Sequence, residues 1–262
     1  MIRLTHGIYL VLNPLTGQLD MSAPVSGLWE QVPLRLWVTL EGPVNPDSGL
    51  LINVRDVKAV FQQALIEKKT KVKNTLDIFS WARQLVEKKL SDFRLVKLQL
   101  EIINKMTISV KYGNPEMIEV TTQYTLAASH RLWNPAWSEK QNLDAYDKCS
   151  NPRGHGHNYR VEVTLRGKPD PATGQIMDPI LRDEMIRREL IEPFDHKNLN
   201  EDTPEFAALV PTVENIAKVF WDRLDGKFHP AELARIAVWE TEKTCAEYFG
   251  PHVGPLRYSN SV

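Results

Sequence analysis

Sliding the chain along itself by 125 positions lays Leu34–Glu67 over Tyr159–Glu192 without a gap, and ten of the 34 pairs are identical, where chance gives about two. The identities include Arg35/Arg160, Val38/Val163, Thr39/Thr164, Leu40/Leu165, Gly42/Gly167 and Gly49/Gly174, and they end in Leu65-Ile66-Glu67 over Leu190-Ile191-Glu192. The order of elements repeats as well, and the alternative is two generic strand-turn-helix units matched by luck. Each half reads as a β-hairpin, two helices and a second β-hairpin. Val57, Val60, Phe61, Ala64 and Leu65 recur at helical spacing, as do Ile78, Ala82, Leu85 and Val86. In the second half Val213, Ile216, Ala217, Phe220 and Leu224 make an amphipathic helix that Thr212 opens as an N-cap. The strands alternate, with Ile118, Val120, Thr122, Tyr124, Leu126 and Ala128 on one parity and Tyr159, Val161, Val163 and Leu165 on the other. The expectation is an α+β protein with helices on one face of an antiparallel sheet. It is divided at Gly113-Asn114-Pro115 into a first domain, 1–114, and a second, 115–262.

Composition removes several alternatives. The 262 residues carry 32 basic and 33 acidic side chains, a net charge of −1, which disfavours both a disordered polyelectrolyte and a protein built to neutralise nucleic-acid phosphates. Two cysteines cannot make a disulfide framework. No apolar run approaches the roughly 20 residues of a membrane span, and the opening MIRLTHGIYLVLNPLTG lacks the features of a secretory signal. These points predict a soluble, cytoplasmic protein with no nucleic-acid or membrane partner.

The reactive residues crowd into the second half, where six of seven His and both Cys follow residue 129. His155 and His157 share one face of a strand, with their side chains about 6 to 7 Å apart along it. His130 ends the preceding strand on its apolar face. If the two strands pair antiparallel, three imidazoles converge, as in a catalytic zinc site with an open fourth position; the alternative is three unrelated polar residues at strand ends. Cys149, in Lys148-Cys149-Ser150-Asn151-Pro152-Arg153, has polar, basic neighbours that favour a thiolate, whereas Cys245 reads as packing. Asp195-His196 is either a proton-transfer pair or a surface pair. Glu240 continues the apolar face of Ile236 and Val238, so its carboxylate needs a partner. Strand parity places Leu100 at the corresponding position of the first half, with Glu101 as the rival register.

Taken in order, His130, Cys149-x5-His155-x-His157, Asp195-His196-x2-Leu199-Asn200, Pro211-Thr212-x-Glu214-Asn215 and Glu240-Thr241 resemble the family of 6-pyruvoyl-tetrahydropterin synthase and 6-carboxy-tetrahydropterin synthase over residues 116–250. The resemblance implies a tunnelling fold, here as two tandem units, each a four-stranded antiparallel sheet with two helices on one face, assembling into a β-barrel. It implies zinc on His130, His155 and His157, with Cys149 as the proton-abstracting thiolate and Asp195 and His196 as the relay. It also implies a pterin ring anchored by Glu240 with Thr212 and Glu214. The substrate implied is 7,8-dihydroneopterin triphosphate, with magnesium as a companion of the triphosphate, and the assembly implied is a homo-oligomer with sites at unit interfaces. Two products are open: a pyruvoyl group, as in tetrahydrobiopterin supply, or a carboxylate released with acetaldehyde, as in queuosine supply. The five-residue gap in CSNPRGH is similar to that of the pyruvoyl enzyme. A pterin-binding module without turnover is the non-enzyme alternative, and an intact Cys149, Asp195 and His196 weigh against it. The first half departs from the family: in the repeat register Pro24 faces Cys149, Glu30 and Val32 face His155 and His157, and Thr70-Lys71 face Asp195-His196. It resembles the fold without the site.

Overall fold

The computed structural model describes residues 2–13, 18–21, 32–67, 71–102, 106–111 and 116–251. Its contacts separate two compact units, one reaching to Val120 and including Gly167–Ile176, the other comprising Thr121–Arg166 and the residues from Met177 on. Gly113-Asn114-Pro115 lies outside the described residues, as do Pro24, Glu30 and Thr70.

The first unit contains β1 (Ile2–Asn13), β2 (Gln18–Asp20), β3 (Val32–Gly42), α1 (Val54–Glu67), α2 (Thr75–Lys89), β4 (Arg94–Ile102) and β5 (Met106–Lys111). Its antiparallel sheet runs β5-β4-β3-β1-β2. The two expected hairpins flank the two expected helices, and the short β2 is an addition. The helix faces read from the sequence are the ones buried: Val57 and Phe61 of α1, and Ile78, Ala82 and Val86 of α2, join Leu36, Val38, Leu40, Leu98 and Leu100 of the sheet in the core. Each such Leu, Ile, Val or Phe contributes about 1.5–3 kcal/mol by leaving water. Asn74 starts α2 by accepting from the Leu76 and Asp77 amides.

The second unit opens with β6 (Ile118–His130), then α3 (Glu139–Tyr146), a 3-10 turn (Asp147–Ser150) and β7 (His155–Gly167). A helical run follows: α4 (Pro179–Ile186), a π-helical turn (Arg187–Ile191) and α5 (Glu192–Phe194). After it come β8 (Lys197–Asn198), α6 (Leu199–Asp202), a 3-10 turn (Pro204–Phe206), α7 (Val213–Leu224), β9 (Glu232–Thr241) and β10 (Thr244–Tyr248). The main strands are ordered β10-β9-β7-β6, and β8 adds a short parallel pairing to the end of β6. The four strands and two principal helical stretches match expectation; α3, α6 and β8 sit in connections where no periodicity announced them. In neither unit does the sheet close on itself, so the expected barrel is not formed within either. Among the described residues no helix is long and apolar enough to cross a membrane.

The 125-residue offset recurs in backbone detail. The β3–β4 register shifts between Thr39 and Leu40, and the β7–β9 register shifts between Thr164 and Leu165. The Asn45 carbonyl accepts from Gly49 while its side chain accepts from Asp47 and Ser48; Asp170 does the same with Gly174, Ala172 and Thr173. Both glycines are left-handed, at φ 68° and 72°, where a Cβ is strained. The registers also correct one expectation. Leu34 pairs with Ile102, and its counterpart Tyr159 adjoins the Arg160–Trp239 pair, so Ile102 stands where Glu240 stands, not Leu100 or Glu101. Parity identified the face, but a longer connection ahead of β9 changes the offset from 125 at Arg35/Arg160 to 138 at Glu101/Trp239.

Candidate metal centre

The site is built where β6 ends and β7 begins. Gly154 has φ 66°, and a Cβ there would lie 2.7 Å from the His130 carbonyl oxygen, so only glycine lets the two strand ends approach. That approach brings His155 and His157 to His130. Ring centroids are 4.5 Å apart for His130–His155, 5.2 Å for His130–His157 and 4.8 Å for His155–His157. Glu240 enters from β9, its Oε1 3.4 Å from His130 Nε2 and 3.5 Å from His157 Nε2. One ligand atom from each of the four residues lies within 4.8 Å of all the others.

His130 is fully buried, and its Nδ1 is 2.8 Å from the Pro211 carbonyl. A carbonyl only accepts, so Nδ1 carries the proton and Nε2 presents its lone pair to the cluster. His130 Nε2 lies 3.1 Å from His155 Nε2. Four ligands about 2.0–2.1 Å from a tetrahedral ion are about 3.3 Å apart; the His130–His155, His130–Glu240 and His157–Glu240 separations of 3.1, 3.4 and 3.5 Å are close to that, and all pairs fall within 4.8 Å. His157 Nε2 is buried without a hydrogen-bond partner, as a nitrogen kept for a metal would be. The donor set therefore fits a borderline cation such as zinc.

Burial pushes the His130 pKa down to about 4, against an opposing hydrogen bond to Pro211; burial also lowers that of His157, opposed by Glu240. The sign of the consequence is fixed. A folded-state pKa below the unfolded value of about 6.5 means that the unfolded chain takes up the proton first as the pH falls. Metal-free protein should therefore be stable above about pH 6.5 and lose roughly 2 to 3 kcal/mol between there and pH 4. Urea unfolding of chelator-treated protein across that range measures it; an equal loss in His130→Gln would show that His130 is not its source.

Cys149 sits half-buried in the 3-10 turn after α3, where its carbonyl accepts from the Leu132 amide. The expected thiolate-favouring surroundings are not found: burial, then Glu240 and Asp147, push the thiol pKa up. The flanking Lys148 and Arg153 are outweighed by burial, by Glu240 from β9 and by Asp147 two residues back in the chain. Cys245 lies half-buried in β10.

Asp195 and His196 follow α5 at the edge of β6. Asp195 Oδ1 accepts from the Ala127 amide at 2.8 Å and Oδ2 meets His196 Nδ1 at 2.9 Å, while the His196 amide donates to the Ala127 carbonyl. The Ala127 amide, then His196, hold the Asp195 carboxyl below its ordinary range. The two side chains thus meet at hydrogen-bond distance, with the His196 ring 82% exposed. His196 and His157 line one open cleft of about 420 Å³ with Ser129, Gly156 and Asn158. Cys149 is not part of that cleft's lining. Thr212 caps α7 by accepting from the Asn215 amide, and Glu214 is exposed on its first turn.

Three contributors stood in the sequence reading without a role. The Pro211 carbonyl acts through its backbone, which no residue pattern reveals. Asn200 accepts from the Arg131 amide and donates to the Arg131 carbonyl, clamping the chain just after His130. Tyr159 places its hydroxyl 3.3 Å from His130 Nδ1; its place on the same strand face as His155 and His157 was the available signal.

The family profile of 6-pyruvoyl tetrahydropterin synthase matches residues 119–251. The 6-pyruvoyl tetrahydrobiopterin synthase of Homo sapiens is 40% identical over 132 residues, 50% of this chain and 91% of that protein. A protein of Archaeoglobus fulgidus provisionally named 6-carboxy-5,6,7,8-tetrahydropterin synthase is 32% identical over 112 residues, 43% of this chain and 88% of that protein. The structure of 6-pyruvoyl tetrahydropterin synthase from Caenorhabditis elegans aligns with 51% of this chain and 96% of its own, at 32% identity and a TM-score of 0.49.

Proposed function

The chain belongs to the 6-pyruvoyl tetrahydropterin synthase family, and from that premise we propose that it is a zinc-dependent lyase converting 7,8-dihydroneopterin triphosphate to 6-pyruvoyl-tetrahydropterin with loss of triphosphate. The convergence of His130, His155 and His157 beside Glu240 carries this reading. Zinc held there would polarise the side-chain hydroxyls of the substrate and ease removal of neighbouring carbon-bound protons. Glu240 accepts the paired N–H groups of the pterin's guanidine-like edge. Thr212, whose hydroxyl oxygen is already used as a cap, still has a proton to donate, and Glu214 follows two residues later in the first turn of α7. Cys149 takes the carbon-bound proton. Without metal its pKa is held up by burial, then by Glu240 and Asp147, and a cation held at the histidines would favour the thiolate. His196, held by Asp195 at the cleft it shares with His157, passes protons onward.

The pyruvoyl product is favoured over the carboxylate by the CSNPRGH spacing and by the higher identity to the pyruvoyl enzyme. Mass spectrometry after incubation with 7,8-dihydroneopterin triphosphate tests the reading. A pyruvoyl product supports it, a carboxylate with acetaldehyde assigns the alternative lyase, and unchanged substrate makes the chain a binding module. Magnesium would accompany the triphosphate, and the protein would act in the cytoplasm as a homo-oligomer of tandem chains, the domain covering 1–114 being a copy without a site. The matching turns and bulges support that copy. Purified protein should then hold one zinc per chain by elemental analysis, because Val32 and Ile102 replace His157 and Glu240; two per chain would refute the division of roles.

A further inference from the structure

The two copies of the turn that follows β3 and β7 stand in different surroundings. The turns at 45–49 and 170–174 make the same internal hydrogen bonds, yet Gly174 is buried and Gly49 is exposed. The difference is a seat. Within the first compact unit, which includes Gly167–Ile176, the second of these turns rests on the start of α2. A Cβ on Gly174 would lie 3.4 Å from the Asn74 side chain, and Asn74 Nδ2 is 3.5 Å from the Ala172 carbonyl oxygen. A Cβ on Gly49 would meet nothing within 4 Å.

The second unit carries a seat of the same make. The offset of 138 that relates Glu101 to Trp239 also relates Asn74 to Thr212, and each caps its helix by accepting from the amide three positions on, Asp77 or Asn215. Neither of the chain's two turns occupies the seat at Thr212, since one rests on α2 and the other is bare. Resting on the homo-oligomer proposed above, we infer that the 45–49 turn of one copy docks against the start of α7 of a second copy, repeating between chains the contact that 170–174 makes with α2 within one. Turn and seat are different surfaces, so the contact is heterologous and either closes into a ring or runs on from copy to copy. The seat begins one residue after Pro211, whose carbonyl holds the His130 ring. A half without a site of its own thus rests against the frame of a neighbour's site.

Sedimentation velocity and cross-linking of the full chain provide the test. Gly49→Asn reads the seat alone: asparagine tolerates a left-handed backbone, and its side chain has open space in the single chain but enters the seat of a neighbour. It should weaken self-association by about tenfold or more. Ser48→Cys combined with Thr212→Cys should react with a short bismaleimide to give covalent species of two or more chains on a denaturing gel, and neither substitution alone should do so. The paired cysteines decide the matter if Gly49→Asn does not fold. An oligomer that yields no such species, or whose association in Gly49→Asn stays within about twofold of the unaltered protein, overturns the inference and leaves the homo-oligomer standing on another surface. A chain that sediments as a monomer at every concentration overturns both.

Discussion

Replacing His157 by alanine should leave a folded protein that holds no metal after dialysis and shows no measurable turnover. The side chain supplies one of four converging ligand atoms, and its Nε2 is buried without a hydrogen-bond partner. Even groups that merely support a ligand cost about 10- to 100-fold in metal affinity when removed, so loss of a ligand itself should exceed that range. Stability of the metal-free chain should change by no more than about 1 kcal/mol. His157 lies near the start of β7, ahead of the fully buried Tyr159, Val161 and Val163 that anchor the strand, and removing an unpaired, desolvated nitrogen offsets part of the lost packing. Elemental analysis, product formation and thermal melting of chelator-treated protein make the three readings. A full complement of metal in the variant would remove His157 from the centre, and a melting temperature lowered by more than about 10 °C without metal would make it a structural residue.

Local periodicity made most of the fold legible. Helical spacing identified α1, α2 and α7 because each buries one stripe against a sheet, and Thr212 announced the start of α7 through a hydrogen bond it does make. What stayed hidden depends on contacts between distant segments. The π-helical turn before Asp195 and the two-residue β8 have no periodic signature, yet they deliver Asp195 and His196 to the backbone of Ala127. The repeat register was reliable while the strands stayed in step, and failed at Glu240 because the intervening connection differs in length.

The metal ligands were legible for a related reason. Two histidines at i and i+2 on a strand need no tertiary information to point the same way, and His130 needed only the assumption that consecutive strands pair. That Glu240 joins them depends on β9 lying beside β7, which sequence parity alone does not decide. Charge was the least legible property. Lys148 and Arg153 flank Cys149 in the chain, but burial, then Glu240 and Asp147, raise its pKa, and neither the burial nor the carboxylate arriving from β9 is written in the flanking sequence.

This reversal shapes the second large expectation. Cys149→Ala should reduce turnover by about 10³-fold or more, within the range for losing a proton-transfer group, while metal content and pterin affinity stay unchanged. The thiol is not among the four convergent ligand atoms, and truncating a half-buried cysteine should cost under about 1 kcal/mol. Loss of metal in this variant would recast Cys149 as a ligand. The pH dependence supplies a finer check. Without metal the thiol pKa is raised by burial, then by Glu240 and Asp147, whereas a cation held nearby would favour the thiolate. Alkylation of Cys149 in metal-free protein should therefore accelerate on the alkaline side of neutrality, and at lower pH in Glu240→Gln, where one opposing charge is gone. Identical profiles in the two proteins would mean that Glu240 does not govern the thiol, and a limb of the kcat profile that survives in Cys149→Ala would assign the proton transfer to another group.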